Sequence, residues 1–351
     1  MKIPKLYAFE KKLKIDLSLS ENPLGCSPNV LRVLKKDIAS ITRYPDPDFK
    51  KLKLKLARKF KVSLNNISFG NGSENLIQVV SEMFVSKGSE VLIPKTTFPL
   101  FEITTLLIKG KPVFVNMTDS FDIDLGQMEK KITKKTRLIF ICNPNNPTGK
   151  ILPRSDIAKF VKKISPIPVV VDEANIEFCE ESVVSDVKKA KNLIVLRTFS
   201  KAFGLAGLRI GVIVASEKII KAFNRKRLPF PINALAERAA ITAINDKQFL
   251  KKTRDLINTQ REFMTIELRE RGFMVSDSQT NNMLVSINGL FPNATQFVRL
   301  LNKNEVSVVN GNSFRGLGDQ FIRLSPRLPE TNKKFLKVVD KILTDKKKVV
   351  I

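Results

Sequence analysis

The chain has 351 residues, 43% of them hydrophobic, which suffices for a large buried core and more than one lobe. Its complete lack of histidine excludes Ser-His-Asp and Cys-His nucleophile systems and imidazole metal sites, so acid–base chemistry near neutral pH falls to a lysine, a carboxylate or a cofactor. The formal net charge of +27 is compatible with a polyanionic partner, an acidic substrate or a solvated lysine-rich surface.

Cysteine usage and hydropathy predict a cytoplasmic protein. Cys26, Cys142 and Cys179 are too few and too widely spaced for a disulfide framework. No apolar run approaches the roughly 20 residues of a membrane helix, and residues 1–17 lack the pattern of a signal peptide. The lysines are not interleaved with aromatic residues, which favours a solvated surface over a nucleic-acid partner. We expect no membrane association and no metal.

Short β-branched runs alternate with amphipathic stretches up to about residue 215. The predicted strands are residues 66–70, 90–94, 112–116, 137–142, 168–172, 192–197 and 209–215. Most of these runs are apolar throughout, as is typical of strands that are covered on both faces of a largely parallel sheet. Helices are predicted between them, for example over residues 74–87, 98–109 and 153–163. The pattern predicts an α/β layer architecture.

The pattern changes after about residue 230. Helices are predicted at 232–245 and 247–271, followed by strands at 283–287, 306–309 and 321–325 that alternate with helices near 294–303 and 329–345. We therefore expect a large domain over residues 41–240 and a smaller α+β domain over residues 241–351. Residues 1–40 are predicted to form an N-terminal segment that packs on the small domain.

Polar groups follow four of the predicted strands. They are "GNGSEN" at residues 70–75, "NPNNPTG" at 143–149, Asp172 and "FSKAFG" at 199–204. In an open parallel sheet, ligands bind beyond the carboxyl ends of the strands, so four such groups on one edge predict a binding site.

Each group taken alone also has a purely structural explanation. The glycines before the helix at residue 74 favour an anion at its free N–H groups, but Ser73 could simply be its N-cap. Residues 143–149 could be only a turn. Asp172 needs a cation or hydrogen-bond donors if it is buried, but it could be a capping or loop residue.

Lys201 adds a nucleophile to this edge. A lysine in a crowded, partly desolvated site has a lowered pKa and can attack a carbonyl to form a Schiff base. Arg209, eight residues later, could fold back and bind a phosphate with two hydrogen bonds. A solvated loop lysine is the alternative, and the other three polar groups favour the nucleophile.

At this point the motifs identify a resemblance. "YPDP", "GNGSEN", "NPNNPTG", "VVVDEA" and "SKAFGLAGLR" resemble those of the fold-type-I aminotransferases that depend on pyridoxal phosphate, and the chain is most similar to the histidinol-phosphate aminotransferase subgroup. The similarity extends from about residue 21 to residue 337. It implies the fold of aspartate aminotransferase, which is a three-layer sandwich with a mostly parallel seven-stranded sheet and a smaller α+β domain. It also implies a role in amino-acid biosynthesis and a homodimer with shared active sites.

The resemblance further implies a role for each matching residue. Lys201 would bind the cofactor covalently, Asp172 would pair with its ring nitrogen, and Asn146 would donate to its phenolic oxygen. Phe98 would stack on the ring, although it could simply pack at a helix start. The phosphate ligands would be Gly72, Ser73, Glu74, Thr198, Ser200, Arg209 and, reaching in from a neighbouring subunit, Tyr44. The substrate would contact Asn22, Arg323 and Arg327, with Arg323 at its carboxylate unless it is a surface arginine.

Two positions depart from the family pattern. Asn175 occupies the position of a usual tyrosine, and because the chain has only Tyr7 and Tyr44, no tyrosine nearby in the sequence replaces it. We expect altered tuning of the cofactor, not its loss. Asn310 stands where the subgroup usually has an arginine near the substrate phosphate, although Arg315 and Arg327 could compensate.

The resulting functional hypothesis is an aminotransferase that acts on an amino donor and a 2-oxo acid. The predicted reaction converts histidinol phosphate and 2-oxoglutarate to imidazole acetol phosphate and glutamate. Alternatives on the same scaffold are an aromatic amino acid aminotransferase and a threonine-phosphate decarboxylase. The motif "NSFRGL…IRLSPR" resembles that of the threonine-phosphate decarboxylases. A basic nucleic-acid-binding or regulatory protein on a degenerate scaffold is the non-enzymatic alternative.

Overall fold

A computed structural model describes residues 3–4, 6–9 and 12–349. The strands of this part of the chain are β1 Ile15–Asp16, β2 Ile67–Asn71, β3 Glu90–Pro94, β4 Lys111–Val115, β5 Thr136–Cys142, β6 Val169–Asp172, β7 Leu193–Thr198, β8 Ile210–Ala215, β9 Met274–Val275, β10 Met283–Ser286, β11 Val306–Ser307, β12 Val309–Asn310 and β13 Phe321–Leu324. Its α-helices are α1 Pro28–Asp37, α2 Lys50–Phe60, α3 Gly72–Phe84, α4 Leu100–Leu107, α5 Leu125–Lys130, α6 Arg154–Lys163, α7 Glu217–Lys226, α8 Ala234–Asn245, α9 Lys247–Glu270, α10 Ala294–Lys303 and α11 Pro329–Val349.

The seven predicted runs before residue 216 form one sheet in the order β2-β8-β7-β6-β5-β3-β4. Strand β8 is antiparallel to both of its neighbours, and the other pairs are parallel. This arrangement confirms the predicted mostly parallel seven-stranded sheet. Because β2, β5, β6 and β7 run in the same direction, their carboxyl ends meet at one edge, where the antiparallel β8 begins.

Both faces of this sheet are buried, which makes a three-layer sandwich. In β5, Leu138 and Phe140 belong to one hydrophobic cluster, whereas Ile139 and Ile141 belong to the other. Helices α3, α4 and α7 contribute to the first cluster, and α1, α2, α6 and α8 contribute to the second. The continuous apolar runs therefore reflect a strand that buries alternate side chains in two different cores.

A second sheet, antiparallel in the order β12-β13-β10-β9, packs with α9, α10 and α11 around a separate core. The predicted single strand at 306–309 is wrong in one respect, because the chain changes sheets at Val308. Strand β11 pairs with β1, whereas β12 pairs with β13.

The described part of residues 1–40 is divided between the two cores. Leu17, next to β1, is buried in the core of the smaller sheet, whereas Val30 of α1 is buried in the core of the large sheet beside α8. No described helix is both long and apolar enough to span a bilayer. All three cysteines are free thiols.

Candidate active site

A cavity of about 350 Å³ lies at the edge where β2, β5, β6 and β7 end and β8 begins. The sequence places polar loops or side chains at each of these ends, and the strand directions bring them together. Ten of the predicted site residues line this cavity: Ser73, Glu74, Phe98, Asn146, Asp172, Asn175, Thr198, Ser200, Lys201 and Arg209.

Asp172 is the last residue of β6 and is almost completely buried. Its Oδ1 accepts a hydrogen bond of 3.1 Å from the backbone N–H of Ala174. Burial raises the pKa of Asp172 to about 7, although this hydrogen bond and the charge of Lys201 act in the opposite direction. A cationic partner in the cavity would therefore stabilise the ionised form of this carboxyl group.

Lys201 lies in the loop after β7 and is half-buried. Within the described residues, its amine has no hydrogen-bond or ion-pair partner. Burial, followed by the positive charge of Arg323, lowers the pKa of Lys201 to about 8, while the negative charges of Glu21 and Glu74 oppose this shift. About a tenth of the amine is therefore neutral, and thus nucleophilic, at pH 7.

Asn22 holds the Lys201 loop through a hydrogen bond to the backbone of Ala202. Its Nδ2 donates to the carbonyl of Ala202 at 2.8 Å and to Oγ1 of Thr253 at 3.0 Å, and its Oδ1 accepts from the N–H of Leu24 at 2.9 Å. Both ends of the amide are therefore engaged within the protein. Asn22 does not line the cavity in this arrangement, and its predicted contact with a substrate stays a prediction.

Arg209 closes the end of the cavity nearest to α3. Its Nη2 lies 3.0 Å from a carboxylate oxygen of Glu74, and its carbonyl accepts from the N–H of Gly72 at 2.9 Å. Arg209 has a left-handed φ of 53°, which is uncommon outside glycine.

Helix α3 begins at Gly72, so Ser73 is its second residue and not its N-cap. The free N–H groups of this helix end, together with Thr198, Ser200 and Arg209, form a site that suits an anion. The hydroxyl of Thr198 also bonds that of Ser200 at 2.9 Å.

Tyr7 is a cavity residue that the sequence did not indicate. Its hydroxyl accepts a 3.2 Å hydrogen bond from Nδ2 of Asn146, and its ring centre lies 4.8 Å from the guanidinium of Arg323. Arg323 is 1% exposed, so it is not a surface arginine, and its Nη1 lies 3.4 Å from Oδ1 of Asn146. No tyrosine stands near Asn175 in the sequence, but Tyr7 lines the same cavity as Asn175.

The remaining predicted residues lie outside the cavity wall. Tyr44 is 82% exposed, stacks on Phe230 at 4.5 Å and lines a neighbouring cavity of about 850 Å³ that also contacts Arg209. Arg327 donates to the carbonyls of Asp16 at 2.7 Å and Glu21 at 3.3 Å, so its guanidinium is held inside the protein.

Two further expectations concern Arg315, as a candidate for the substrate phosphate, and Asn175, at the position of the usual tyrosine. Arg315 forms two hydrogen bonds with Glu102, of 3.0 and 2.5 Å, and is not available for a substrate phosphate in this arrangement. The amide of Asn175 is buried, and its Oδ1 has no hydrogen-bond partner among the residues that the structure describes. The cavity therefore presents one unsatisfied acceptor at the position where the family usually has a tyrosine.

The chain is similar to known proteins over nearly its whole length. The sequence profile of the family described as aminotransferase class I and II matches residues 12–339. Histidinol-phosphate aminotransferase of Caldicellulosiruptor saccharolyticus is 35% identical over 334 residues, which cover 94% of this chain and 92% of that protein.

Two solved structures share the fold. The crystal structure of histidinol-phosphate aminotransferase from Sinorhizobium meliloti in complex with pyridoxal-5'-phosphate superposes with a TM-score of 0.89 at 25% identity and covers 95% of this chain and 92% of that chain. L-threonine-O-3-phosphate decarboxylase from Porphyromonas gingivalis superposes with a TM-score of 0.81 at 26% identity, with coverages of 94% and 99%. The fold, the grouped polar residues and the profile match lead to the same conclusion: the chain belongs to the family of class I and II aminotransferases.

Proposed function

We propose that this aminotransferase uses pyridoxal 5'-phosphate to move the amino group of histidinol phosphate to 2-oxoglutarate, with imidazole acetol phosphate and glutamate as products. The observation that carries the proposal is that an amine with a lowered pKa, a buried carboxylate and an arginine, namely Lys201, Asp172 and Arg209, line a single cavity. The choice of substrate is supported by the 35% identical relative.

The residues present fit this cofactor. Lys201 would hold its aldehyde carbon, Asp172 its ring nitrogen and Arg209, with the end of α3, its phosphate. Asn146 would donate to its phenolic oxygen, and Phe98 would stack on its ring. When bound, pyridoxal phosphate supplies an aldehyde that binds the substrate amine and an electron-withdrawing ring that stabilises negative charge at the substrate α-carbon.

The chain's own groups would move the protons. Because the pKa of Lys201 is lowered to about 8, its neutral amine could take a proton from the α-carbon of a bound substrate. The resulting ammonium group could then give this proton to the C4′ carbon of the cofactor. Histidine is absent from the chain, so no imidazole competes for this task. Asp172 would keep a cationic partner protonated, since its buried carboxylate gains from a neighbouring positive charge. Arg323 does not line the cavity in this arrangement, and it would receive the carboxylate of glutamate or 2-oxoglutarate in exchange for its present hydrogen bonds to Ser20 and Asn282.

We also propose a homodimer in which each subunit completes the site of the other. Ile41, Tyr44 and Leu228 are 65%, 82% and 74% exposed, and Tyr44 and Ile41 line the cavity that Arg209 shares with the active site. Large apolar side chains that are grouped and exposed are typical of an interface between proteins. A second copy that covers this surface would bring its own Tyr44 near the phosphate end of the cavity.

The predicted domain boundaries and the cytoplasmic location remain part of this proposal. Residues 41–240 would form the cofactor-binding domain and residues 241–351 the smaller domain, which is supported by the separate hydrophobic cores of the two sheets. The three free thiols are consistent with a reducing compartment.

The substrate assignment is tested by amino-donor profiling of the purified protein with pyridoxal phosphate and 2-oxoglutarate. We expect histidinol phosphate to give the highest rate of glutamate formation in a panel that includes phenylalanine and threonine phosphate. A preference for phenylalanine would identify an aromatic aminotransferase. Release of carbon dioxide from threonine phosphate without glutamate formation would identify a decarboxylase and contradict the proposal.

The role of Lys201 has a separate test. We expect Lys201→Ala to abolish amino-group exchange and to remove the covalent label that borohydride reduction leaves at position 201. Lys53→Ala is a suitable control, because burial also lowers the pKa of Lys53 although it lies outside the cavity. Exchange at the parent rate by Lys201→Ala would refute the mechanism.

A further inference from the structure

A buried cluster of charges lies directly behind the active-site edge. Arg197 donates from Nη1 to Glu173 at 2.9 Å and from Nη2 to Glu177, and the exposed fractions of these side chains are 9%, 0% and 5%. The guanidinium also lies 5.1 Å from the ring centre of Phe60. None of these charged groups lines the cavity.

Stability alone does not account for this cluster. Desolvation of buried charges costs free energy that their mutual attraction often only balances, so apolar replacements of buried ion pairs are commonly as stable. Here two buried polar atoms, Nε of Arg197 and Oε2 of Glu177, have no hydrogen-bond partner within the described part of the chain, which adds to the cost. The cluster therefore calls for a role other than stabilisation.

Each charged residue of the cluster is adjacent to, or shares a turn with, a cavity residue. Glu173 follows Asp172, Arg197 precedes Thr198, and Glu177 lies in the 3-10 turn that begins after Asn175. Successive residues of an extended chain point to opposite faces, so anchoring one residue orients its neighbour. The N–H of Glu173 bonds the carbonyl of Leu196 at 2.9 Å, which continues the pairing of β6 and β7 to this point.

Ser182 and Val183 extend the network to a further loop. The Ser182 hydroxyl donates to Glu173 at 2.8 Å and accepts from Arg197 at 3.3 Å, while the Val183 N–H donates to Glu173 at 2.7 Å.

We propose that Arg197 is a positioning residue, whose guanidinium fork ties together the segments that carry Asp172, Asn175 and Thr198 and so sets their spacing for the cofactor. This inference rests on the proposed function. Lysine keeps the charge at this position but cannot bond two carboxylates in the fixed geometry of a guanidinium. A small displacement of groups that contact a ligand costs roughly tenfold to a hundredfold in binding or rate.

The test compares Arg197→Lys with Arg271→Lys. Arg271 also bonds two carboxylates, Asp340 at 2.7 Å and Glu267 at 2.7 Å, but it joins α9 to α11 away from the cavity. We expect Arg197→Lys to weaken the affinity for pyridoxal phosphate roughly tenfold or more and to alter the visible circular dichroism of the bound cofactor. Arg271→Lys should lower the melting temperature while leaving both readouts unchanged. Equal cofactor affinity in the two variants would overturn the inference.

A second readout does not require the cofactor. In the cofactor-free protein, Arg197→Lys should accelerate amide hydrogen exchange within residues 172–183, where the N–H groups of Glu173 and Val183 are bonded. Unchanged amide hydrogen exchange within residues 172–183 would overturn the inference, whatever the affinity for pyridoxal phosphate. If the parent protein itself does not bind pyridoxal phosphate, the proposed function fails, and the exchange result alone decides the role of Arg197. If Arg197→Lys does not fold, Ser182→Ala can replace it, because it removes two hydrogen bonds of the same network. We expect Ser182→Ala to weaken cofactor affinity and to accelerate amide exchange, each by less than Arg197→Lys.

Discussion

Burial acts in opposite directions on the pKa values of the two ionisable side chains most important to the proposed chemistry. It raises the pKa of Asp172 to about 7 and lowers that of Lys201 to about 8, because a charge of either sign is costly in the closed cavity. Both residues therefore destabilise the cofactor-free fold in their charged forms. A cofactor with a cationic ring nitrogen and an aldehyde would relieve both costs.

The first prediction concerns Asp172→Asn in the cofactor-free protein. The folded-state pKa of about 7 exceeds the ordinary value of 3.8, so the cost of ionised Asp172 is absent below pH 3.8 and complete above pH 7. We expect the variant to have a higher free energy of unfolding at pH 8, by up to about 4 kcal/mol at about 1.4 kcal/mol per pKa unit. The gain should shrink between pH 7 and pH 5 in urea titrations.

With pyridoxal phosphate present, the sign of this effect should reverse, since the variant loses the partner of the ring nitrogen. Asp156→Asn serves as the control, because Asp156 is exposed and, in the described part of the chain, its carboxylate contacts the Ser155 hydroxyl at 3.2 Å and the Lys159 amine at 3.9 Å. A stability difference that does not vary with pH would contradict the assignment of the raised pKa to Asp172.

The second prediction concerns Asn175→Tyr. Oδ1 of Asn175 is a buried acceptor to which no described residue donates, whereas a tyrosine hydroxyl would donate to the phenolic oxygen of the cofactor and stabilise its anion. We expect the pH midpoint of the cofactor's visible absorbance to fall by about one unit. Asn65→Tyr, at an exposed position, should leave the midpoint unchanged. Identical midpoints in Asn175→Tyr and the parent would refute the altered tuning.

Among the secondary-structure elements, the start of α3 and the loop before β8 are mutually dependent. Gly72 has a φ of 75°, and a Cβ atom at this position would lie 2.4 Å from Nη2 and 2.9 Å from Cζ of Arg209. A side chain at this position would strain the backbone and displace the guanidinium, so glycine suits the start of α3. The arrangement of the polar group that the sequence predicts after β2 therefore depends on this close approach of Gly72 and Arg209.

The third prediction is that Gly72→Ala displaces Arg209 and weakens the affinity for pyridoxal phosphate. Gly289→Ala provides a matched control, because Gly289 has a similar φ of 79° and open space around the added methyl group. Both variants should lose about 1 kcal/mol of stability from the strained backbone, but only Gly72→Ala should lose cofactor affinity in equilibrium dialysis. Equal affinity in the two variants would show that the guanidinium adapts to the methyl group.

The predicted elements matched best where the local signal was strong. All seven runs of the large sheet were confirmed, because most of these strands are buried on both faces and are therefore apolar at nearly every position; β4, at the edge of the sheet, is only partly buried. The single strand predicted at 306–309 was wrong, since nothing in "VSVV" indicates that Val308 passes between two sheets. The predicted helix start at residue 74 was two residues late, because Gly72 enters the helix through a conformation that sequence patterns do not reveal.

For the whole molecule, the proposed dimer makes a prediction about assembly. Ile41→Asp should place a charge in the exposed apolar surface and shift the protein towards the monomer, as measured by sedimentation velocity. The affinity for pyridoxal phosphate should fall at the same time, because Tyr44 of the second copy would be lost from the site. Met274→Asp is a control, since Met274 is 60% exposed on the smaller sheet. A parent protein that is monomeric at micromolar concentration would contradict the proposal.

The sequence by itself determined the strands of the large sheet, the loops at their carboxyl ends and hence the group formed by Asp172, Lys201 and Arg209. Such features depend on local patterns and on the common direction of parallel strands. Only the tertiary structure decided which distant side chains join them. Tyr7 bonds Asn146 across 139 residues of chain, while Arg327 is engaged by backbone carbonyls. Contacts between distant segments depend on how separate elements pack, and no local pattern specifies that packing.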